Sequence, residues 1–325
     1  MIIDYPSTPE SRKIAKKYGY SEFIIRRWMN LFRDYKDLIV AMERGIPRHI
    51  RVNTIKIEED ELICRLESRG FELKKTEVPF CYKVVYEPYS IGATPEYLMG
   101  YYYVMEKNSC IPPLVLDPKP GEVVADFAAS PGGKITFISQ LMNNKGVVLA
   151  IEVNRERIQA LIDNIHRMGC MNIAVVNMDS SKFWKTGIKL DKILLDAPCS
   201  GEGVIHKDPS RKRRSGKEDI VFCSKIQLRL ITSAIKSLKS DGTLVYSTCS
   251  LTPEENEFVI DRIMEKFPVE IEEIKWGDPA FTKIPKKKIK LNEKLRFARR
   301  FYPHKHETSG FFIAKLRLTS EVSSS

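Results

Sequence analysis

Five segments of nearly continuous apolar character, separated by amphipathic segments, constrain the fold of this chain more than any other feature. Strands that are covered on both faces are apolar throughout, whereas half-exposed strands alternate. Between the second and third segments, residues 155–168 form an amphipathic stripe that ends at Gly169, as a helix with a glycine C-cap does. Strands that alternate with helices predict an α/β fold with a doubly wound parallel sheet. The five predicted strands are EVVADFA (122–128), GVVLAIEV (146–153), MNIAVVNMD (171–179), DKILLDAP (191–198) and GTLVYSTC (242–249).

The N-terminal part of the chain has a different pattern. Residues 9–44 are basic and carry apolar residues at helical spacing, so we expect a small helical lead. After Pro47, the strand-like RVNTIKI (51–57), a helix that ends at Gly70 and two short strand-like segments predict a compact β-α-β-β unit. A chain of 325 residues exceeds the usual limit for one core. The expected domains are the helical lead plus a small α+β domain at 1–95, a larger α/β domain at 96–318 and a polar tail at 319–325.

The first apolar strand runs into a glycine-containing turn and then directly into the helical segment ITFISQLM. Small residues let a ligand approach the backbone, and a helix N-terminus offers unpaired N–H groups to a carboxylate or phosphate. The turn is neither a dinucleotide fingerprint, since Ala128 and Ser130 replace glycines, nor a P-loop, since Ile135 follows the lysine. A small anionic or zwitterionic cofactor is expected. The candidate binding residues are Ala128, Ala129, Ser130, Pro131, Gly132, Gly133 and Lys134.

Acidic residues end three successive strands, at the edge where open α/β sheets bind ligands. Glu152 is placed to accept hydrogen bonds from ribose hydroxyls, and Asp179 to accept one from an adenine amino group. Asp196 ends the fourth strand. Three acids beside a glycine turn favour a cofactor that carries a nucleoside. S-adenosylmethionine suits this set, because its ribose needs an acid and its carboxylate needs the helix N-terminus.

Two cysteines also lie at the ends of strands. Cys199 and Cys249 are fifty positions apart in sequence, yet the topology places their strands side by side. The seven cysteines include no C-x-x-C pair, so neither a disulfide framework nor a zinc site is expected, and no metal is assigned. An unpaired cysteine is commonly a small buried hydrophobe. That interpretation suits four of the others, Cys64, Cys110, Cys170 and Cys223.

The segment that follows Cys249 also carries a structural signal. Thr252-Pro253-Glu254-Glu255 has the pattern of a capping box with proline at the first helical position. It predicts that a helix begins there.

The charge of the chain predicts a polyanionic partner, and nucleic acid is the first to consider. The formal net charge is +11. The run KDPSRKRRSGK (207–217) carries six basic residues and directly follows the Cys199 turn, where phosphate contacts would position a strand for the site. No apolar run approaches the length of a membrane span, so we expect no membrane association and a cytoplasmic protein. Further basic residues expected to extend the track are Lys13, Lys16, Lys17, Arg26, Arg27, Arg296, Arg299, Arg300, His304, Lys305 and His306.

Across almost its whole length the chain resembles the Sun-type family of RNA cytosine-5 methyltransferases, including the archaeal-like tRNA enzymes. The matching segments occur in the family's order. They are RVNTIKI (51–57), GYYYVMEKNSCIPPLVLDPKPGE (100–122), DFAASPGGK (126–134), AIEVNRER (150–157), DAPCSGEG (196–203), LVYSTCSLTPEENE (244–257) and RFYPHKHETSGFFIAKL (300–316).

The resemblance implies a Rossmann-like, S-adenosylmethionine-dependent methyltransferase domain at 96–318 and an RNA-recognition-like α+β domain within 1–95. It implies that Cys249 is the nucleophile that attacks carbon 6 of cytosine, and that Cys199 assists proton removal and product release. Asp196 would hold the ring nitrogen and the amino group of the base, with a raised pKa, and Lys134 would help to lower the pKa of the thiol. Arg157, in the AIEVNRER segment, joins the cofactor-binding residues.

Several alternatives stay open at this point. The two cysteine roles can be exchanged, the RNA can be ribosomal instead of transfer RNA, and the protein can be a non-catalytic RNA-binding protein on a methyltransferase fold. Transfer RNA is preferred because no additional ribosome-targeting domain accompanies the core. A monomer is favoured.

Overall fold

The computed structural model describes residues 2–322, and the chain divides into two compact units that are each discontinuous in sequence. The first unit comprises Met1–Ile46, Ala197–Thr232 and Ser247–Leu316, and the second comprises Pro47–Asp196, Ser233–Tyr246 and Arg317–Ser325. The domain boundary expected at residues 95 and 96 stays a prediction. The polar tail predicted at 319–325 lies partly outside the described residues.

Within residues 2–322, helices and strands follow one another in the order that the sequence pattern predicts for an α/β chain. The helices are α1 Pro9–Tyr18, α2 Glu22–Leu31, α3 Tyr35–Arg44, α4 Glu59–Ser68, α5 Pro95–Leu98, α6 Lys107–Leu116, α7 Gly133–Leu141, α8 Ile158–Met168, α9 Arg211–Arg214, α10 Lys217–Ser237, α11 Glu257–Lys266 and α12 Pro303–His306. The strands are β1 His49–Val52, β2 Glu72–Lys75, β3 Cys81–Tyr86, β4 Tyr102–Val104, β5 Val123–Asp126, β6 Val147–Glu152, β7 Ile173–Asn177, β8 Leu190–Asp196, β9 Leu238–Thr248, β10 Val269–Glu272, β11 Asp278–Pro279, β12 Arg299–Phe301 and β13 Phe311–Leu318.

The second unit contains the doubly wound sheet that the apolar segments predict. Its strands lie in the order β9-β8-β5-β6-β7. Strand β5 is parallel to β6 on one side and to β8 on the other, with Asp126 paired to Ala150 and to Leu194. The chain therefore leaves β5 in one direction and returns on its other side, so the carboxyl end of β5 is the switch point where such sheets bind ligands. The predicted α/β, Rossmann-like fold class is confirmed.

A four-stranded antiparallel sheet in the order β2-β3-β1-β4 forms the other part of the second unit. It packs with α4 around a core that includes Ile50, Leu62 and Leu66. The predicted β-α-β-β unit is confirmed, and β4 adds a fourth strand that the sequence analysis did not assign. The strand predicted at 51–57 ends at Val52, because the buried Asn53 side chain turns away to donate to the carbonyls of Gly100 and Met168, each at 2.8 Å.

The first unit is built around a core to which distant parts of the chain contribute. The predicted helical lead forms α1, α2 and α3, and Trp28 and Leu38 are fully buried there. They pack in one cluster with Ile205, Leu251 and Ile284. The unit also contains β10 to β13, in which Arg299 of β12 pairs with Ile313 of β13. The lead is therefore part of a core that holds the chain after both Cys199 and Cys249.

The helix predicted to begin at Thr252 begins instead at Glu257, so the capping-box prediction is wrong. Residues 252–256 form a turn, and Glu254 and Glu255 are buried at 3% and 0% exposure. A first-turn glutamate in a capping box reaches back to its own helix cap. Here Glu254 accepts hydrogen bonds from the distant Arg27, and Glu255 accepts from Ser200 and from the Thr252 hydroxyl. The Thr252 amide, which a capping box would pair with the glutamate, donates to Ser250 Oγ instead.

Among residues 2–322, no helix combines the length and the apolar character that crossing a membrane requires. The same residues include no group of three or more His, Cys, Asp or Glu side chains placed to hold a metal ion.

Candidate active site

The glycine turn joins β5 to α7 and has the conformation that its glycines permit. Gly132 has a φ of +112°, a backbone conformation that other residues avoid, and a Cβ there would lie 3.3 Å from side-chain atoms of Leu161 and Asn164. A Cβ on Gly133 would lie 3.1 Å from the ring of Tyr103. The backbone conformation therefore favours glycine at 132, and both glycines avoid tight contacts with neighbouring side chains where the turn brings the N-terminus of α7 to the carboxyl end of β5.

Side chains and backbone groups hold the turn in place. Asp126 Oδ1 accepts a hydrogen bond from the Ala128 amide at 3.0 Å, and the Ala129 amide donates to the Ile151 carbonyl at 3.0 Å. Ser130 and Arg157 form a reciprocal pair. Ser130 Oγ donates to the Arg157 carbonyl at 3.0 Å, and Arg157 Nη2 donates to the Ser130 carbonyl at 2.8 Å. Arg157, which the resemblance assigned to cofactor binding, contacts the turn directly.

The acids predicted at the strand ends lie where the sequence placed them. Glu152 ends β6, is 3% exposed, accepts from the Asn154 amide at 2.9 Å and lies 3.6 Å from Arg157 Nη1. Asp179 follows β7 and caps a short 3-10 helix by accepting from the Ser181 amide at 3.0 Å. We call residues 126–134 together with Glu152, Arg157, Asp179 and Asp196 the carboxyl edge of the second unit.

Asp196 and Lys134 meet at this edge. Lys134 Nζ lies 2.6 Å from Asp196 Oδ2, and the two side chains are 15% and 30% exposed. Nearby, burial of the Asp126 carboxyl group raises its pKa to about 7. The charges of Asp196 and Glu152 add to that increase, while the Ala128 amide and the Lys134 ammonium oppose it.

Arg51 contacts the carboxyl edge, and the sequence analysis did not identify it as a candidate site residue. It is fully buried, donates to the Gly133 carbonyl and to Thr136 Oγ1, and lies over the Phe137 ring at 4.7 Å. Burial lowers its pKa to about 10. The segment RVNTIKI (51–57) is part of the family resemblance. A strand-like pattern does not show that its arginine contacts the glycine turn.

The two predicted cysteines are in contact in the first unit. Cys199 Sγ lies 3.0 Å from Cys249 Sγ, close enough for one thiol to donate a hydrogen bond to the other sulfur, and both residues are partly exposed. The chain segments that carry them are hydrogen-bonded, with the Ala197 amide donating to the Ser247 carbonyl at 2.8 Å and the Gly203 amide to the Cys249 carbonyl at 3.0 Å. Two partly exposed thiols are thus adjacent where the two segments meet.

The other cysteines behave mostly as expected. Cys110 and Cys170 are buried, and Cys223 is partly buried. Burial first, and the charge of Glu255 second, raise the pKa of the Cys223 thiol to about 12. Cys64 is exposed, so the expectation of a buried side chain is wrong there, because it lies on the outer face of α4.

The expected basic track needs correction, because several of its arginines are buried. Arg27 is 1% exposed and forms an ion pair with Glu254 at 2.6 Å, and the fully buried Arg300 forms one with Glu257 at 2.6 Å. Arg299 donates to the Ile274 carbonyl at 2.8 Å. These side chains stabilise the first unit and are not available to phosphates.

The basic run at 207–217 is divided between structural and exposed residues. Arg211 donates to the Ser200 carbonyl, next to Cys199, and Lys212 Nζ lies 2.7 Å from Glu43. Lys217 Nζ lies 2.6 Å from Asp4. Arg213 and Arg214 are exposed. About half of the run therefore binds within the first unit.

Comparison with known proteins identifies the family of this chain. Residues 113–317 match the model of the family described as 16S rRNA methyltransferase RsmB/F. The match covers well over half of the chain and contains both cysteines and the glycine turn. The chain belongs to the RsmB/F family. The predicted resemblance to the Sun-type methyltransferases is confirmed.

Relatives within the RsmB/F family act on different RNAs according to their names. The chain is 38% identical over 321 residues to the human 28S rRNA (cytosine(4447)-C(5))-methyltransferase, covering 94% of this chain but 39% of that protein. It is 36% identical over 314 residues to the tRNA (cytosine(49)-C(5))-methyltransferase of Pyrococcus abyssi, covering 95% of this chain and 97% of that protein. The chain thus spans about half or less of the eukaryotic rRNA-methyltransferase relatives.

Solved structures of this family share the fold over most of the chain. A methyltransferase homolog protein from Pyrococcus horikoshii superposes with a TM-score of 0.88 at 42% identity, covering 96% of this chain and 100% of that one. NSun6 from Pyrococcus horikoshii, solved with SFG, superposes with a TM-score of 0.80 at 28% identity, covering 90% and 97%.

Proposed function

We propose that this chain transfers a methyl group from S-adenosylmethionine to carbon 5 of cytosine in RNA, through a transient bond between Cys249 and the base. The observation that carries the proposal is the contact between two thiols at 3.0 Å in a chain that belongs to the RsmB/F family. Core packing alone does not explain this contact. A cysteine that only fills space in a core is buried, whereas both of these cysteines are partly exposed.

The chemistry of the acceptor explains the need for two thiols. Carbon 5 of cytosine is too electron-poor to attack a methyl group unaided. Addition of the Cys249 thiolate to carbon 6 forms the S–C6 bond and moves the double-bond electrons to carbon 5, which then takes the methyl group. The Cys199 side chain removes the proton that remains on carbon 5. The S–C6 bond breaks, the ring double bond is restored and Cys249 is released as thiolate.

The residues of the carboxyl edge fit S-adenosylmethionine. The N-terminus of α7 at Gly133 offers amides to its carboxylate, and the Glu152 carboxylate at the end of β6 suits the ribose hydroxyls. Asp179, at the end of the next strand, suits the adenine amino group. The relative solved with SFG, an analogue of this cofactor, supports the same assignment. When bound, the cofactor supplies an electrophilic methyl group.

Asp196 is proposed to orient the cytosine through the ring nitrogen and the amino group. It directly precedes Ala197-Pro198-Cys199 in the sequence, so one short turn carries both the acid and a thiol. The ion pair with Lys134 restricts the Asp196 carboxylate to one orientation. We assign Lys134 this orienting role in addition to the expected effect on the thiol.

Transfer RNA is the preferred substrate. Support comes from the Pyrococcus abyssi tRNA enzyme, 97% of which is matched by this chain. Ribosomal RNA is the second candidate, because the human relative acts on 28S rRNA and matches at similar identity. A monomer located in the cytoplasm remains our prediction.

Substitution of each cysteine tests the mechanism. The protein is incubated with unmodified RNA and S-adenosylmethionine, denatured and separated by electrophoresis. C199A is expected to accumulate a denaturation-resistant RNA adduct because the S–C6 bond cannot be resolved, and C249A is expected to form none. An adduct in C249A and none in C199A would exchange the two roles.

The product and the substrate class are measured with the wild-type protein. Bisulfite sequencing of tRNA transcripts and rRNA fragments, each incubated with the protein and S-adenosylmethionine, is expected to show new 5-methylcytosine mainly in tRNA. RNA binding without any methylated cytosine would support the non-catalytic alternative instead.

A further inference from the structure

Glu255 contacts both of the chain segments that carry the thiols, although the reaction itself does not use it. The residue is 0% exposed. Its Oε1 accepts a hydrogen bond from the Ser200 amide at 2.8 Å, and its Oε2 accepts one from Ser200 Oγ at 2.7 Å. Oε2 also accepts from Thr252 Oγ1 at 3.0 Å. A single carboxylate therefore joins the residue after Cys199 to the third residue after Cys249.

Neighbouring groups extend this connection on both sides. Gln227 Nε2 donates to the Pro198 carbonyl at 2.9 Å and approaches Glu255 Oε1 at 3.4 Å. Ser250 Oγ lies 3.0 Å from Thr252 Oγ1, and the Asn256 side-chain amide donates to the Ser250 carbonyl at 2.9 Å. Backbone bonds from Ala197 to Ser247 and from Gly203 to Cys249 hold the two ends of the Cys199 segment. The residues between these bonds lack regular secondary structure, so the side-chain bonds help to fix their position.

A carboxylate suits this task better than an amide side chain. It accepts on both oxygens, and hydrogen bonds to an ionised acceptor are about twice as strong as neutral ones. Its close partners include three donors, two from Ser200 and one from Thr252. In a glutamine an NH₂ group would replace one of the two oxygens. The Ser200 amide cannot accept a hydrogen bond, and a hydroxyl that faces the NH₂ group would have to turn and accept instead of donating. An acid keeps all three bonds without this rearrangement.

We propose that Glu255 is a positioning residue that fixes the separation of the Cys199 and Cys249 sulfurs. The consequence for catalysis rests on the proposed function, whereas the geometric role does not. Without the carboxylate, the Ser200 amide and hydroxyl lose their acceptor, and the Cys199 sulfur can shift relative to that of Cys249 between the flanking backbone bonds of Ala197 and Gly203. Misplacement of a reacting group by about 1 Å lowers a rate by about 100-fold.

Chemical cross-linking measures the separation directly. Dibromobimane becomes fluorescent when it bridges two nearby thiols, and peptide mapping by mass spectrometry identifies the Cys199–Cys249 link among the seven cysteines. E255Q is expected to form this link about tenfold more slowly than the wild type. E255D, which keeps the charge, is expected to recover part of the rate. S200A removes one of the two Ser200 bonds and is expected to slow the link by a smaller factor, without placing a new donor in the core.

The matched control is E254Q. Glu254 is also a buried carboxylate and is adjacent in sequence, but it accepts from the Ile3 amide at 2.6 Å and from Arg27. E254Q should lower the melting temperature while leaving the cross-linking rate near that of the wild type. A rate in S200A and E255Q equal to that of the wild type would overturn the proposal, and so would an equal loss in E254Q.

Methylation kinetics separate this proposal from the proposed function. E255Q is expected to lower kcat by about 10- to 100-fold with the KM for S-adenosylmethionine within about twofold, because the carboxyl edge is unchanged. If the wild type methylates no RNA but E255Q still slows the cross-link, the proposed function fails and the positioning role stands. If E255Q cross-links normally while the wild type is active, the positioning role fails.

Discussion

Two buried carboxyl groups have pKa values well above that of a carboxyl group in water. Burial raises the pKa of Asp126 and that of Glu202 to about 7. For Glu202 the Arg27 charge and the hydrogen bond from Trp28 Nε1 oppose this effect, and the charges of Glu255 and Glu254 reinforce it. An acid whose pKa is raised by folding binds its proton more tightly in the native state than in the unfolded state.

This property predicts how D126N changes the pH dependence of stability. Between about pH 4 and pH 7 the native state retains a proton on Asp126 that the unfolded chain has lost, so its contribution to stability falls as the pH rises. D126N removes this dependence and keeps an oxygen that can accept from the Ala128 amide. Relative to the wild type, the variant should gain about 1.4 kcal/mol in the free energy of unfolding between pH 5 and pH 6, and the gain per pH unit should fall to about half of this at pH 7.

Urea unfolding of both proteins at half-unit pH steps measures this difference. Above about pH 8 the difference should become nearly constant, since Asp126 is then ionised in both states. E202Q, which alters a different unit, should show the same trend independently. A difference between D126N and the wild type that stays constant from pH 5 to pH 8 would contradict the raised pKa.

The sequence predicts that the two cysteines lie close together better than it predicts buried charges. Cys199 and Cys249 were identified because polar turn residues and an acid surround them at the ends of strands, and the structure brings their sulfurs to 3.0 Å. Arg27 and Arg300 were assigned to an RNA track because a sequence shows charge but not burial. Their partners Glu254 and Glu257 are more than two hundred and about forty positions away.

Local patterns identified most of the elements. The five strands of the doubly wound sheet were predicted because each gives a continuous apolar signal. Burial explains this signal for the largely buried β5 and β8. Strand β7 is apolar although its side chains are partly or fully exposed. Helix α6 was not predicted, because Pro112 and Pro113 lie within it and proline normally interrupts helices. The start of α11 was predicted five residues too early. The side chains of its apparent capping box instead form hydrogen bonds in the turns that carry Cys199 and Cys249.

The glycine turn allows a prediction at the scale of one element. G132A forces an L-residue to a φ of +112° and brings its Cβ to 3.3 Å from Leu161 and Asn164. The strained backbone should cost about 1 to 3 kcal/mol of stability. The N-terminus of α7 should also shift, so the dissociation constant for S-adenosylmethionine, measured by calorimetry, should rise.

G187A is the control for this prediction. Gly187 also has a positive φ, of +73°, but a Cβ there would meet no atom within 4 Å. It ends the 3-10 helix that follows Asp179 and does not belong to the glycine turn. G187A should lose stability through backbone strain while the cofactor affinity stays unchanged. Equal affinities for G132A and the wild type would show that the turn does not hold the cofactor.

At the scale of the whole molecule, local signals do not show which distant segments share a core. Segment composition favours a boundary near residue 95, yet residues before Ile46 share a core with residues around Ile205, Leu251 and Ile284. That core depends on contacts between residues far apart in the chain, such as Ile3 with Glu254. The periodicity of a segment does not show which distant segment packs against it.

The net charge of +11 leads to the last prediction, which concerns RNA binding and depends on the proposed function. Each phosphate contact that releases a counterion adds about 1 to the slope of log K against log salt concentration. Arg213 and Arg214 are exposed in the basic run, whereas Arg211, Lys212 and Lys217 bind within the first unit. The double variant R213Q/R214Q should therefore reduce the slope by about 2 and weaken binding at low salt.

Filter binding of tRNA over a range of salt concentrations measures the slope. The control K145Q/K266Q removes the same two charges from exposed positions outside the run and should leave the slope nearly unchanged. An equal change in both double variants would mean that net charge alone attracts the RNA. No change in R213Q/R214Q would place the phosphate contacts elsewhere. Because Arg211 of this run donates to the Ser200 carbonyl, a reduced slope would link the RNA backbone to the turn that carries Cys199.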